Sequence, residues 1–329
     1  MAKKKKTDGN SAGKAPVRHD PRSVERTFRD MHALLAEQEF STADEASKFM
    51  DQLLATTGGQ IPRREAETPQ MKAQDLVYDA YDANSRKKRI ELAREALSLD
   101  PDCADAYSLL AEETAKTLEE QRDLYSRAVE AAERTLGPKY FSDPECVGHF
   151  WGILETRPYM RARSVLAKVL WELSQHDEAI CHYQDLLRLN PNDNQGLRTD
   201  LLVRLVVKDR IEEAEALLER YSEDESSVMM YTYALIAFIK EGPSLRANAR
   251  MRDAFEANVF VPVFLIGVKK LPKDIPEYHG FGDEDEAVVT IYEMAEIWTH
   301  IPESVEWLVH EFMKLGDELA LAKLPRFRG

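Results

Sequence analysis

Cysteine, glycine and proline are all scarce in this chain, and each scarcity excludes something. Three cysteines (Cys103, Cys146 and Cys181) in 329 residues are too few for a disulfide framework and point to a reducing compartment. Gly (14) and Pro (15) are too sparse to supply the tight turns of a many-stranded fold. No run approaches the about 18 apolar residues that span a bilayer. Positive charge is in deficit: the net charge of −15 argues against a general nucleic-acid binder, because phosphate neutralisation needs a basic face.

Catalytic signatures are missing as well. There is no Walker loop, dinucleotide glycine fingerprint or Gly-x-Ser-x-Gly elbow. His310-Glu311 is followed by Lys314 where a zinc protease needs a second histidine, and Gly280-Phe281-Gly282 only precedes a helix. The expectation is a protein that is not an enzyme and carries no cofactor. The opening Met-Ala-Lys-Lys-Lys-Lys has no apolar stretch behind it, so no secretory leader is expected and the cytoplasm is the expected location.

What is present is helix-forming. Hydrophobic residues make up 43% and charged residues 31%, with Ala, Leu, Glu, Arg and Asp dominant. Residues 1–20 are a Lys-rich tail whose Lys3–Lys6 run offers a weak RNA-contact alternative. Over 21–57 a helical hairpin is expected. Val24, Phe28, Met31, Leu34 and Leu35 form the apolar stripe of its first helix, and Phe49, Met50, Leu53 and Leu54 that of its second. Residues 58–70 read as a linker around Gly58, Gly59, Pro62 and Pro69.

From 71 to 260 the pattern is paired helices with short turns. Asp100-Pro101 and Asn190-Pro191 each end a helix and open the next, because proline lacks the amide that would continue the first. The segment at about 137–157 breaks the pattern and reads as an insertion carrying Tyr140, Phe141, Phe150 and Trp151. It is either a partner-binding loop or a plug that fills a gap between mismatched repeats. Residues 261–329 read as a loop and a helical cap.

Residues 160–193 carry the repeat best. Ala167, Ala179, Tyr183 and Pro191 stand at the eighth, twentieth, twenty-fourth and thirty-second positions of the unit, which resembles the tetratricopeptide (TPR) pattern. Small residues let paired helices approach, and the aromatic fills the space beside them. Leu186 departs from it, where the pattern prefers Ala. More degenerate units follow over 73–103, 104–136, 194–226 and 228–260, the first with Arg89 in place of a small residue. The resemblance implies an all-α, TPR-like α-solenoid, since each unit alone leaves an apolar face uncovered.

Further stretches, among them Gly148-His149-Phe150-Trp151-Gly152 and Glu155-Thr156-Arg157-Pro158-Tyr159-Met160-Arg161-Ala162, resemble an uncharacterised bacterial family of TPR proteins. A fainter likeness runs to eukaryotic suppressor-of-tumorigenicity proteins. Neither supplies a substrate.

The TPR resemblance implies a groove lined by the first helix of each pair. It would carry Arg161, Ser164 and Lys168, with Gln195 and Arg198 from the next unit. Arginine forks bind carboxylates in pairs of hydrogen bonds, so the expected partner is an acidic peptide or protein segment. Arg157 joins the basic set, and Tyr159 and Trp151 supply apolar contact. The competing reading is an internal salt-bridge set with Glu155, Glu172 and Asp200. A different class of function rests on Cys146-x-x-His149 with Cys181-His182, thiolates and imidazoles that suit zinc. A metal-binding protein or metal-dependent enzyme is therefore the alternative to a protein-interaction scaffold.

Overall fold

The computed structural model describes residues 20–322; the Lys-rich tail and the last residues, 323–329, lie outside them. Sixteen α-helices and no strand are found among the described residues. The contacts divide the chain into two compact units, one running to Gln175 and the other from His176.

The first unit holds α1 (Val24–Ala36), α2 (Ala43–Thr56), α3 (Pro69–Asp82), α4 (Arg86–Leu99), α5 (Ala104–Thr114), α6 (Leu118–Leu136), α7 (Pro138–Ser142) and α8 (Arg157–Glu172). The second holds α9 (His176–Leu189), α10 (Leu197–Val207), α11 (Ile211–Arg220), α12 (Ser227–Glu241), α13 (Leu245–Ala257), α14 (Phe260–Leu265), α15 (Glu284–His300) and α16 (Pro302–Ala322). Within each unit the helices pack mainly as neighbours. α3 lies on α4, α5 on α6 and α6 on α8; α9 lies on α10, α12 on α13 and α14 on α15. This is the pairing of an α-solenoid.

Short polar side chains set where the helices begin. The Thr42 and Thr117 hydroxyls accept from the amides of Glu45 (3.3 Å) and Glu120 (3.2 Å). The same glutamates reach back to the amides of Ser41 and Lys116, both at 2.7 Å. Each exchange satisfies two of the amides that a helix start leaves unpaired. The two proline turns share a device. The Tyr107 hydroxyl donates to the Pro101 carbonyl (3.1 Å), and that of Tyr221 to the Pro191 carbonyl (2.9 Å). A tyrosine further along the chain, Tyr107 within α5 and Tyr221 just past α11, thus locks each turn.

Alanines sit where helix axes approach: Ala73, Ala80, Ala93, Ala96, Ala106, Ala128 and Ala131 in the first unit, and Ala179, Ala214, Ala234, Ala247 and Ala254 in the second, all fully buried. Larger side chains would hold the axes apart. Arg89, which occupies a small-residue position, turns to the helix ends instead, bonding the Ala83 carbonyl (3.0 Å) and the Glu113 carboxylate (2.5 Å).

The insertion is folded inward. Gly137, with φ +71°, ends α6, and Pro138 begins α7. Phe141, Phe150 and Tyr159 then pack ring on ring at 5.1–6.1 Å between centroids. Phe150 of the insertion and Tyr159 of α8 are fully buried, whereas Tyr140, Phe141 and Trp151 are half-buried. One sequence expectation needs correction. The apolar stripe of α1 is not its buried face: Val24 and Phe28 are 48% and 40% exposed, and the buried residues of α1 are Glu25 and Asp30.

Candidate interaction site

The acid–base pattern of α1 explains that reversal. Glu25, Arg26 and Arg29 share one side of α1, and Arg22, in the 3-10 turn Pro21–Ser23 that leads into it, continues their i, i+3, i+4, i+7 spacing. The partners of these residues lie on α3, α5 and α8. Arg22 donates to Glu112 of α5 (2.6 Å) and lies 3.9 Å over the ring of Tyr81 of α3. Arg26 donates to the Asp79 carboxylate (2.8 Å) and lies 5.3 Å over Tyr78. Arg29 donates to Asp75 (2.6 Å). Tyr78 and Tyr81 are buried among the α3, α4 and α5 side chains, so the arginines stack on a fixed aromatic floor.

Glu25 runs the other way in charge. It lies 2.6 Å from Arg161 and 3.4 Å from Arg157, both on α8. Arg161 continues to Asp105 of α5 (2.8 Å), and Asp105 also accepts from the Gln74 amide (3.0 Å). A chain of carboxylate, guanidinium and carboxylate thus ties α1, α8 and α5 together. Asp105 is 1% exposed and Arg161 15%. Burial opposes the charge on Arg161, but Asp105, Tyr81 and Glu25 outweigh it and hold its pKa above the ordinary value. Arg22 is held up in the same way, against burial, by its bonds to Asp20 and Glu112. Three atoms of this cluster, Asp105 Oδ1, Arg161 Nε and Tyr81 Oη, are buried without a hydrogen-bond partner in the protein.

Two cavities flank the cluster. One, of about 340 Å³, borders Arg29, Gln74, Tyr78, Cys103 and Glu155. The other, of about 130 Å³, borders Arg22, Asp105, Glu112, Arg161 and Ser164. The Cys103 thiol is no nucleophile at neutral pH. Burial first, and then the Asp105 charge, pushes it up to about 12.

The residues singled out in the sequence are engaged in varied ways. Arg157 donates to the Trp151 carbonyl (3.0 Å) besides meeting Glu25, and lies 5.5 Å over the Trp151 ring. Tyr159 is a core residue, whereas Lys168 is exposed. These belong to the first unit. Gln195 and Arg198 belong to the second. Gln195 is half-buried. Arg198 donates to Asp193 (2.8 Å) and Asp224 (2.7 Å) and lies 5.6 Å over Tyr221. Arg161 and Arg198 are therefore both held by internal carboxylates. The partners are Glu25, Asp105, Asp193 and Asp224 rather than Glu155, Glu172 and Asp200; Asp200 pairs with Arg204 (2.8 Å).

The metal alternative has no geometric support. Cys146 is half-buried, His149 and Cys181 are exposed, and among the described residues no three His, Cys, Asp or Glu side chains are gathered to hold an ion. The Lys3–Lys6 RNA contact lies outside the described residues. No helix among them is long and apolar enough to cross a membrane.

Residues 39–308 match the family described as ST7 protein. The chain belongs to that family. Among its relatives, a rat and a mouse suppressor of tumorigenicity 7 protein-like sequence are each 27% identical over 258 residues, covering 71% of this chain and 46% of the relative. A Caenorhabditis elegans ST7 homolog is 26% identical over 275 residues, covering 71% and 49%. The chain thus spans about half the length of the curated relatives it matches. The likeness to suppressor-of-tumorigenicity proteins, the fainter of the two read from the sequence, is the one the comparison carries. The matched segment contains α3, α5 and α8; α1 precedes it.

The residues that sequence reasoning missed are Arg22, Glu25, Arg26, Asp75, Tyr78, Tyr81 and Asp105. A signal existed for the first three in their helical spacing. None existed for the rest, because their role depends on a helix that returns from far along the chain.

Proposed function

We propose that this protein is a non-catalytic interaction scaffold of TPR-like design whose first unit grips a helical segment on the face of α3, α5 and α8. One observation carries the reading: α3 and α8 already hold a helix, α1, by paired charges and stacked arginines, and α5 holds the turn that leads into it through Arg22. Such a face binds a helix through charge-assisted hydrogen bonds and arginine–aromatic stacking.

The polarity of the expected partner changes. From Arg161, Lys168 and Arg198 alone, an acidic segment is the natural ligand. On the assembled face, Asp75, Asp79, Asp105 and Glu112 outnumber Arg157 and Arg161. A basic helix with one embedded carboxylate fits it better. An acidic peptide would meet Asp75, Asp79 and Glu112, three carboxylates of its own sign.

Site-specific photo-crosslinking tests the reading in the full-length protein. A photoreactive residue replaces Asp79, which is 47% exposed at the edge of the face. A second protein carries it at Glu95, exposed on α4. Crosslinks from position 79, and not from 95, to a basic segment of another protein support the proposal. Crosslinks to other proteins from position 95 only, or from position 79 to this chain's own residues only, contradict it.

A further inference from the structure

We infer that α1 is a displaceable internal ligand. It occupies the face that a partner's helix uses, and the partner it stands in for carries arginines at i, i+4 and i+7 with a carboxylate at i+3. The inference rests on the interaction-scaffold reading and adds the class of partner and the means of control.

Three observations separate α1 from a structural helix. First, its fully buried residues are charged: Glu25 and Asp30 are buried, while Met31, Leu34 and Leu35 are half-buried and Val24 and Phe28 are exposed. Its more exposed pair, Arg26 with Asp79, is screened by salt, whereas the buried Glu25–Arg161 pair is screened less and is broken by removing one partner. Second, the floor beneath it stands without it. The buried cluster of Ala73, Val77, Tyr78, Tyr81, Leu92 and Ala93 contains no residue of α1. Third, α1 is tethered and not stacked. α2, which follows it, buries no residue, and an irregular stretch over 58–67 leads on to α3.

Such a tether has a definite consequence. A ligand joined through residues 37–68, which include α2, competes intramolecularly at an effective concentration set by the length of that segment. A partner helix must out-compete it, and its apparent affinity falls by the fraction of molecules that are open. α1 also fixes what can compete. Its arginines answer Glu112, Asp79 and Asp75, and its glutamate fills the gap between Arg157 and Arg161. A basic helix without the carboxylate would leave those two guanidiniums facing each other. An acidic helix would oppose the three carboxylates.

A fluorescent, end-blocked peptide of residues 20–38 is titrated into three full-length proteins. They are the wild type, Glu25→Arg, and Glu25→Arg combined with Asp75→Lys. Glu25→Arg sets a third guanidinium against Arg157 and Arg161 and lifts the internal α1. The inference expects the peptide to bind Glu25→Arg about tenfold or more tighter than the wild type, and Asp75→Lys to abolish the gain. Equal binding to the wild type and Glu25→Arg overturns the internal-ligand inference and leaves the helix-binding face standing. No binding to either overturns both. A gain that survives Asp75→Lys places the peptide elsewhere and also overturns the inference.

Discussion

Arg161 and Glu25 stand 136 residues apart in the chain and meet at 2.6 Å. The contact joins the first long helix to the last helix of the first unit, and Asp105 completes it from a third. Buried ion pairs are poor sources of net stability but costly to break on one side. Their value is in geometry: these pairs set which helix sits on the face, and in which register.

Breaking the set at its centre is the first expectation. Arg161→Met leaves Asp105 buried without its cation and removes one of the two partners of Glu25. About 3 to 5 kcal/mol should be lost, the usual cost of orphaning a buried charge. Arg198→Met in the second unit should cost less, about 1 to 3 kcal/mol for its charge-assisted hydrogen bonds, because Arg198 is 26% exposed. Urea unfolding of both variants checks the order, and an equal or smaller loss for Arg161 contradicts it.

The insertion provides the second expectation. Phe150 is fully buried against Phe141 and Tyr159, so Phe150→Ala should cost about 3 to 5 kcal/mol through lost transfer energy and a cavity. Trp151 is only half-buried, and Trp151→Ala should cost less. Thermal melts of the two variants decide between plug and loop. Near-identical melting of Phe150→Ala and the wild type would return this segment to the role of an exposed binding loop.

Acid should loosen the second unit through Asp224. Burial raises its pKa, but hydrogen bonds from Ser226 and Arg198 outweigh that and hold it below its ordinary value of 3.8. A depressed carboxylate stabilises the fold above the unfolded-state value, and the contribution is lost as pH falls through the folded-state value. The loss therefore sets in below about pH 3.8 and not near neutrality. Asp224→Asn should be less stable at pH 7 and decline less steeply in acid. Parallel pH curves for the two proteins would show that Asp224 contributes nothing.

Local physics made much of the fold readable from the chain. The helix-rich composition and the two proline turns are short-range features, and each turn marks the helix end expected of it. The bonds of Tyr107 and Tyr221 to the proline carbonyls had no signal in the chain. The site was less legible. Arg161 stood out as a charged residue on an inward-facing position, but its partners are set by chain return. Glu25 lies on a helix whose apolar stripe looked like the obvious buried side. Hydrophobic periodicity misled there because long arginines carry the contact, leaving Val24 and Phe28 half in solvent. The unit over 160–193 shows a second limit. Its two helices, α8 and α9, fall in different compact units, which a pattern confined to 34 positions cannot reveal.

The most direct test of a charge-held helix on the α3, α5 and α8 face is hydrogen exchange of the full-length protein at low and high sodium chloride. The account predicts that amides over Val24–Ala36 exchange slowly at low salt and much faster at high salt, while those of α3 and α5 stay protected at both. It also predicts that Glu25→Arg produces the fast pattern at low salt. Slow exchange of α1 that neither salt nor Glu25→Arg changes would mean that α1 is a fixed part of the core, and would contradict the account.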